Sequence, residues 1–135
     1  MEVRKLTTEN EIEEALDLAS TVFDACNSAS YSQAGVESFH ACLMLCRIFP
    51  ILEYWGCFEG ERLVGMLGNN GSQITLLFVD PLWQGRGVGA ALIQSTFKSV
   101  KAFPDSVPFY CKMGFQATSE VENEDGIEYV MMKRK

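Results

Sequence analysis

The chain has 135 residues, enough for one domain with a buried core and too few for two. Hydrophobic residues make up 47% and charged residues 21%, as in ordinary globular proteins, and no apolar run reaches the roughly 20 residues that span a bilayer. The formal net charge of −7 argues against a nucleic-acid partner, because such proteins usually carry a basic surface. We therefore predict a single cytoplasmic domain over residues 1–135, with neither a membrane nor a nucleic-acid partner.

The N-terminal part of the chain predicts one strand followed by two helices. The segment MEVRKL is typical of a short edge strand, and Thr8 and Glu11 have the spacing of a capping box. A first helix is expected behind it from the helical spacing of Ile12, Ala15, Leu16, Ala19, Val22, Phe23 and Cys26. A second helix is expected from about Gln33 to Phe49, ended by Pro50. Its inward side chains would be Val36, Phe39, Leu43 and Cys46.

The middle of the chain predicts an antiparallel meander of three strands. ILEYWGCFEG and RLVGMLGNN are separated by a tight turn, and the turn NNGS leads into QITLLFVD. The nearly continuous apolar run of QITLLFVD indicates a strand buried on both faces.

The C-terminal part begins with a glycine-rich turn and predicts a helix from about Gly87 to Phe97. KSVKAF follows as a strand, and a short helix from about Ser106 would end at Gly114. FQATSEV and IEYVMMKR are the last two predicted strands, linked by the acidic loop ENEDG. The order β-α-α-β-β-β-α-β-α-β-β predicts an α/β (α+β) fold. It would have a mixed sheet of six to seven strands and about four helices distributed over both faces.

The five cysteines predict free thiols, because their number is odd and no secretion signal precedes them. Cys42 and Cys46 share one face of the second helix, with His40 nearby. A metal site would require more ligands at better spacing. We therefore expect no metal, and buried apolar roles for the cysteines.

The glycine turn from Gln84 to Gly89 predicts an anion site. Glycines at a strand-to-helix junction let the backbone approach a ligand, and the first amides of a helix have no intrahelical partner. Arg86 adds a cation that can bind phosphate oxygens. Phosphate is the anion that such a turn suits best.

Three interpretations of this turn compete. Gly85, Gly87 and Ala90 match a dinucleotide-binding fingerprint, but five residues separate the turn from its strand, where that motif allows none. A P-loop is excluded because no Gly-Lys-Ser/Thr follows. The third interpretation is a turn whose glycines serve tight helix packing alone, without a ligand.

The wider segment VDPLWQGRGVGAAL resembles the acyl-coenzyme A signature Q/R-x-x-G-x-G/A of the GNAT N-acetyltransferase superfamily, which follows a strand ending in Val-x-Pro. VPFYCKMGF, further along, resembles that family's second motif, and the two occur in the family's order. The resemblance covers the whole chain, and DACNSASYSQAGVESF is similar to small single-domain bacterial members.

The resemblance implies the GNAT fold and acetyl-coenzyme A as cosubstrate. The turn amides would hold the pyrophosphate of coenzyme A, carried over here to Gln84, Gly85, Arg86, Gly87, Val88, Gly89 and Ala90. The pantetheine arm would lie beside Leu77, Phe78 and Val79 as an additional strand. Phe103 stands where relatives often carry a polar residue that binds coenzyme A, so it would pack on the pantetheine or weaken its binding.

The reaction implied is acetyl transfer from the thioester to a primary amine by direct attack. Tyr110 matches the family tyrosine that protonates the leaving sulfur, and a backbone N–H near Phe78 or Val79 would polarise the carbonyl. Without the motif, Tyr110 would be interpreted as a core aromatic.

The base, the acceptor and the assembly remain open in the sequence. Gln73 stands where some relatives have a glutamate base, and no motif supports the other candidates Asp24, Glu37, His40 and Glu53. The acceptor would be a small-molecule or peptide amine, recognised near Tyr31, Tyr54 and Trp55. A homodimer is compatible with the pattern. The alternative function is a non-catalytic module with this fold that senses acyl-coenzyme A or binds a protein.

Overall fold

The computed structural model describes residues 1–135, and a mixed eight-stranded sheet forms its centre. The strands are β1 (Glu2–Leu6), β2 (Glu53–Glu59), β3 (Arg62–Asn70), β4 (Gln73–Val79), β5 (Ser99–Ala102), β6 (Gln116–Ala117), β7 (Glu122–Glu124) and β8 (Ile127–Lys133). Their spatial order is β1-β2-β3-β4-β5-β8-β6, and β7 pairs with β8 beyond this path. The helices are α1 (Glu9–Cys26), α2 (Gln33–Ile48), α3 (Val88–Leu92) and α4 (Val107–Lys112). The predicted fold class is confirmed, with one strand more than the expected six to seven.

Two hydrophobic cores lie on opposite faces of the sheet. One core gathers the inward residues of α1 and α2, with Phe23 and Leu43 fully buried. The other gathers α3, α4 and the C-terminal strands around Leu92, Phe115 and Met132. The prediction that helices cover both faces is therefore confirmed. No helix combines the length and the apolar composition needed to cross a bilayer.

Helix α1 begins at the predicted capping box. The backbone N–H of Glu11 donates to Thr8 Oγ1 at 3.2 Å, and the N–H of Thr8 donates to Glu11 Oε1 at 3.3 Å. These bonds satisfy amides that have no partner inside the helix. The inward stripe is as predicted except at Cys26, which lies exposed in the last turn.

The cysteines correct the expectation that all five are buried. Cys46 and Cys57 are buried, whereas Cys26, Cys42 and Cys111 are exposed. Each of these exposed thiols lies on a helix, two of them beside the cavities described below.

Three elements of the C-terminal part differ from their predicted bounds or burial. Helix α3 ends at Leu92 rather than Phe97, because Ile93 is extended and the carbonyls of Gln94 and Phe97 accept from Arg134 instead of a helix N–H. The acidic loop is itself strand β7 and a turn. Strand β4 alternates between buried and half-buried residues instead of being buried on both faces, because its second face borders a cleft.

The junction of β4 and β5 divides the sheet. The two strands are parallel and pair only at Gln73 with Ser99 and Ile74 with Val100. Beyond these pairs the strands separate, so the β4 segment 75–79 has no strand partner on this side. The sheet therefore opens a gap in its middle, and β4 offers unpaired backbone groups to it.

Candidate functional site

The turn after β4 is held by polar contacts at its start. The carboxylate of Asp80 accepts from the N–H of Leu82 at 3.0 Å and pairs with Arg62 at 3.1 Å. The Leu82 amide is the main cause, and Arg62 a further one, of a pKa of Asp80 below its ordinary value. Gln84 Nε2 donates to the carbonyl of Val79 at 3.1 Å. These bonds fix the path of the chain as it enters the glycines.

The glycine turn presents a run of unpaired amides. None of the backbone N–H groups from Gln84 to Ala90 donates to an acceptor in the protein. Gly85 and Gly87 have φ of +76° and +83°, and a Cβ added at either would meet open space. This left-handed conformation favours glycine. Because α3 has only five residues, its dipole contributes little, and the amides themselves make the site suited to an anion.

A cleft of about 420 Å³ extends from these amides, and we call it the turn cleft. It is lined by most of the residues predicted to bind the cofactor: Leu77, Phe78, Val79, Gln84, Gly85, Gly87, Val88, Gly89, Ala90, Phe103 and Tyr110. Trp83, Ser106 and Phe109 also line it and were missed by sequence reasoning. Trp83 and Phe109 lie inside the two sequence motifs, and this position could have identified them as residues that line the cleft.

Arg86 differs from the other predicted residues because its side chain does not line the turn cleft. Its guanidinium lies over the ring of Trp83, 5.0 Å from the ring centroid. Trp83 lines the cleft, and Arg86 is separated from the cleft by the Trp83 ring.

Tyr110 lies in α4 at the inner end of the turn cleft. Its ring packs edge-on against Phe109 and Phe115, with centroids 5.1 Å and 5.7 Å apart. Burial alone raises the pKa of Tyr110 above its ordinary value. The hydroxyl is therefore protonated at neutral pH and can act as a hydrogen-bond or proton donor.

A second cavity of about 160 Å³, here called the aromatic cavity, lies on the α2 side of the gap. Its lining includes Phe39 and Cys42 of α2, together with residues of β4, β5, β7 and β8. The two cavities share five lining residues: Leu77, Phe78, Phe103, Ser106 and Tyr110. The gap between β4 and β5 thus connects a site on one face of the sheet with a site on the other.

Phe103 forms part of the wall between the two cavities. Its ring centroid lies 6.1 Å from that of Phe78, 6.2 Å from that of Phe39 and 6.1 Å from that of Phe23. Tyr31 packs on the same ring at 6.2 Å. Phe103 therefore contributes an apolar surface where a polar ligand-binding side chain was the alternative.

The base candidates named from the sequence lie outside both cavities. His40 Nε2 is 2.7 Å from Asp24 Oδ1, and Glu53 pairs with Lys5 at 2.9 Å. Lysine lowers the pKa of Glu53 below its ordinary value, with a smaller contribution from the amide of Asn69. The carboxylates that do line the cavities are Glu124 and Asp125 in the aromatic cavity and Asp105 in the turn cleft.

The aromatic residues expected near the acceptor also line neither cavity. Tyr54 is buried in the core of α1 and α2, and Trp55 donates to Asn69 Oδ1 at 3.0 Å. Tyr31 supports the wall from behind Phe103. Tyr54 is thus a core residue, and an acceptor role of Tyr31 and Trp55 stays a prediction. The aromatic side chains that line the aromatic cavity are Phe39, Phe78, Phe103, Tyr110 and Tyr129.

Comparison with solved structures gives similar folds over nearly the whole chain. A GCN5-related N-acetyltransferase from Rhodopseudomonas palustris superposes with a TM-score of 0.81 at 17% identity, covering 98% of this chain and 94% of that one. YjaB from Escherichia coli gives 0.74 at 24% identity, covering 98% and 95%. The PaiA N-acetyltransferase from Thermoplasma acidophilum, solved with coenzyme A, gives 0.68 at 16% identity and covers 100% of both chains. At these identities the likeness shows the fold.

The class of the protein follows from a match to a family model. Residues 27–135 match the acetyltransferase (GNAT) domain. The chain therefore belongs to the GNAT acetyltransferase family. No curated protein matches the sequence significantly.

Proposed function

We propose that the protein is an acetyl-coenzyme A-dependent N-acetyltransferase that acts on a primary amine. The observation that carries this proposal is the unbroken run of unpaired amides from Gln84 to Ala90, which opens into the turn cleft. Most of these residues are exposed, so their N–H groups are free to bind an anion that enters the cleft. Membership of an acetyltransferase family makes the pyrophosphate of coenzyme A the anion of choice.

The residues present fit this cosubstrate. The turn amides would hold the pyrophosphate, because the glycines leave open space where a Cβ would stand. The separated edge of β4 at Leu77, Phe78 and Val79 would pair with the amide groups of the pantetheine arm. Phe103 would pack on the apolar part of that arm, and Arg86 would add positive charge from behind Trp83.

The chain's own groups account for the proton and charge changes of the transfer. The amine nitrogen forms a bond to the acetyl carbon as the carbon–sulfur bond breaks, and the amine loses a proton to solvent. A backbone N–H of Phe78 or Val79 would stabilise the developing oxyanion. Tyr110 would give its hydroxyl proton to the departing sulfur and regain one from solvent, because it lines both cavities and stays protonated at neutral pH.

The test has a binding arm and a catalytic arm. Acetyl-coenzyme A at 100 times its dissociation constant should stabilise the fold by about 2.7 kcal/mol. Turnover of an amine panel should release free thiol, detected by a colorimetric reagent. Stabilisation without any thiol release would favour an acyl-coenzyme A-binding module without turnover. Stabilisation by NAD or ATP, with none by acetyl-coenzyme A, would overturn the proposal.

A further inference from the structure

The aromatic cavity is the feature that goes furthest beyond the proposed function. Three rings form one wall: Phe39, Phe78 and Phe103 lie 5.9 to 6.2 Å apart, centroid to centroid. Of the 18 lining residues, 12 are hydrophobic, so a ligand inside meets mainly carbon. The volume of about 160 Å³ suits a ligand body of about one ring. A dry cavity of about 150 Å³ lined by apolar side chains holds one benzene molecule.

The two ends of the cavity differ in polarity. Glu124 of β7 and Asp125 of the β7–β8 turn are exposed, whereas Tyr110 is buried. Glu124 is paired with Lys101, whose ammonium lies over the ring of Tyr129 at 4.3 Å. Asp125 makes no ion pair in the structure, although its backbone carbonyl accepts from Ser38 Oγ at 2.7 Å. A negative charge thus stands free at the exposed end, and the other carboxylate nearby, Asp105, lines the turn cleft rather than the aromatic cavity.

This arrangement selects among amines by the cost of burying polar groups. A charged or hydroxylated group placed beside Phe39, Phe78 and Phe103 would face rings that offer no hydrogen-bond partner. An unpaired buried polar group costs more than an apolar contact returns. A compact hydrocarbon body meets no such cost and gains from burial.

The charge state of the amine follows from the same geometry. The titratable groups that line the cavity are Cys42 of α2, Lys101 of β5, Tyr110 of α4, Glu124 of β7, Asp125 of the β7–β8 turn and Tyr129 of β8, and Asp105 lines the adjoining turn cleft. The carboxylates among them can attract an ammonium to the exposed end. At the buried end no base receives its proton, and desolvation there favours the neutral amine.

Resting on the proposed function, we propose that the acceptor is a primary amine on an apolar body about the size of one six-membered ring. The acceptor enters the aromatic cavity from the side of Asp125 and reaches Tyr110 as the neutral amine. Substrates of this class include benzylamine and cyclohexylamine.

The first experiment compares acceptors on the wild-type protein. Benzylamine and cyclohexylamine should exceed spermidine and a lysine-containing peptide by about 100-fold in kcat/KM, the range in which an apolar pocket discriminates. For benzylamine, kcat/KM should rise with pH up to the pKa of the free amine and then level off. Comparable kcat/KM for spermidine or the peptide would overturn the inference while leaving the proposed function intact. Release of no thiol with any amine would overturn the proposed function itself.

The second experiment fills the cavity without touching the turn cleft. Cys42→Phe places a ring at the α2 wall, and Ala41→Phe is the matched control, because Ala41 is exposed on the same helix and lines neither cavity. Cys42→Phe should lower kcat/KM for benzylamine by at least about tenfold. Ala41→Phe should leave it unchanged. Both variants should keep the shift in melting temperature caused by acetyl-coenzyme A. Equal kinetics of the two variants would contradict the assignment.

A third measurement needs no turnover. Toluene fits the same volume and cannot be acetylated, so its binding, followed by saturation-transfer NMR, reports the cavity alone. Wild type and Ala41→Phe should bind toluene, and Cys42→Phe should not. If the protein binds toluene but acetylates no amine, the cavity is a binding site and the proposed function is wrong. Absence of toluene binding in the wild type would overturn the site.

Discussion

Arg134 Nη2 donates to the backbone carbonyl of Gln94 at 2.6 Å and thereby ties the residue after β8 to the loop after α3. The same guanidinium donates to Phe97 O at 2.8 Å and Met113 O at 3.1 Å, and lies 4.6 Å from the ring centroid of Phe115. One side chain thus satisfies carbonyls of two loops that follow short helices. The end of the chain is thereby joined to the segments that follow α3 and α4.

Replacing Arg134 should therefore destabilise the fold. Arg134→Met leaves the carbonyls of Phe97 and Met113 without a donor, and we expect a loss of about 2–4 kcal/mol in the free energy of unfolding. Arg134→Lys should recover little of this, because one ammonium cannot reproduce the planar fork. Urea denaturation measures both. Lys133→Met is the control, since Lys133 is exposed and makes no side-chain hydrogen bond; an equal loss there would refute the role of Arg134.

The end of α3 illustrates what sequence reasoning could and could not provide. The start of α1 was predictable because the cap and the apolar spacing lie within one local segment. The end of α3 was not, because the Gln94 carbonyl accepts from Arg134, which lies 40 residues away along the chain. The apolar periodicity alone predicts a helix that continues to Phe97, because it carries no information about a hydrogen-bond donor so far along the chain.

The candidate site shows the same division. The glycine turn and Tyr110 were recognisable because each lies in a continuous motif. The aromatic cavity was not, because Phe39, Phe78 and Phe103 come from three separate elements. Only the packing of α2 over the separated strands brings these rings together. Arg86 was expected to reach the ligand, and its position over Trp83 is likewise a tertiary contact.

Gly87→Ala should weaken coenzyme A binding by about tenfold or more, since 1.4 kcal/mol of lost contact suffices. The new Cβ would enter space that faces the unpaired amides. A φ of +83° also makes alanine costly there, by about 1–2 kcal/mol in stability.

Gly71→Ala supplies the matched control for this strain. Gly71 has a φ of +58°, open space around its Cβ position, and a place in the β3–β4 turn away from both cavities. The two variants should lose similar stability, and only Gly87→Ala should lose affinity in calorimetric titration. Equal affinities would place the pyrophosphate elsewhere.

Tyr110→Phe should lower kcat by about 100- to 10,000-fold, as for removal of a general acid. Coenzyme A affinity should change little, because the hydroxyl acts mainly as charge develops on the sulfur. Since burial raises the pKa of Tyr110, ionisation of its hydroxyl should not limit the wild-type rate near neutral pH.

The comparison for this variant is Tyr31→Phe. The Tyr31 hydroxyl donates to the carbonyl of Glu128 at 3.4 Å and lines neither cavity. The kcat of Tyr31→Phe, measured in a stopped assay, should be near that of the wild type. A Tyr110→Phe protein with full kcat would leave water as the proton donor.

Glu11 should make stability depend on pH in the acid range. Its hydrogen bond with Arg4, reinforced by the amides of Thr8 and Thr7, lowers the pKa of Glu11 to about 2. Because the folded-state pKa lies below the unfolded one, this stabilisation is present above about pH 5 and is lost as the pH falls toward 2. Glu11→Gln should be less stable than wild type at pH 6, and the gap should close near pH 2.

Thermal unfolding at several pH values measures this difference. Glu14→Gln serves as the control, because Glu14 lies on the same helix and makes no ion pair. If the stability difference between Glu11→Gln and wild type did not change with pH, the capping hydrogen bonds rather than the charge would account for it.

The gap between β4 and β5 has a mechanical consequence for the whole sheet. Only the pairs of Gln73 with Ser99 and Ile74 with Val100 join β1–β4 to the C-terminal strands. The two halves should therefore open as separate cooperative units, with amides of β5 exchanging with deuterium sooner than those of β3. A ligand that lies along β4 and contacts α4 across the gap would join the two halves. The backbone amides of both halves would then exchange with deuterium at similar rates.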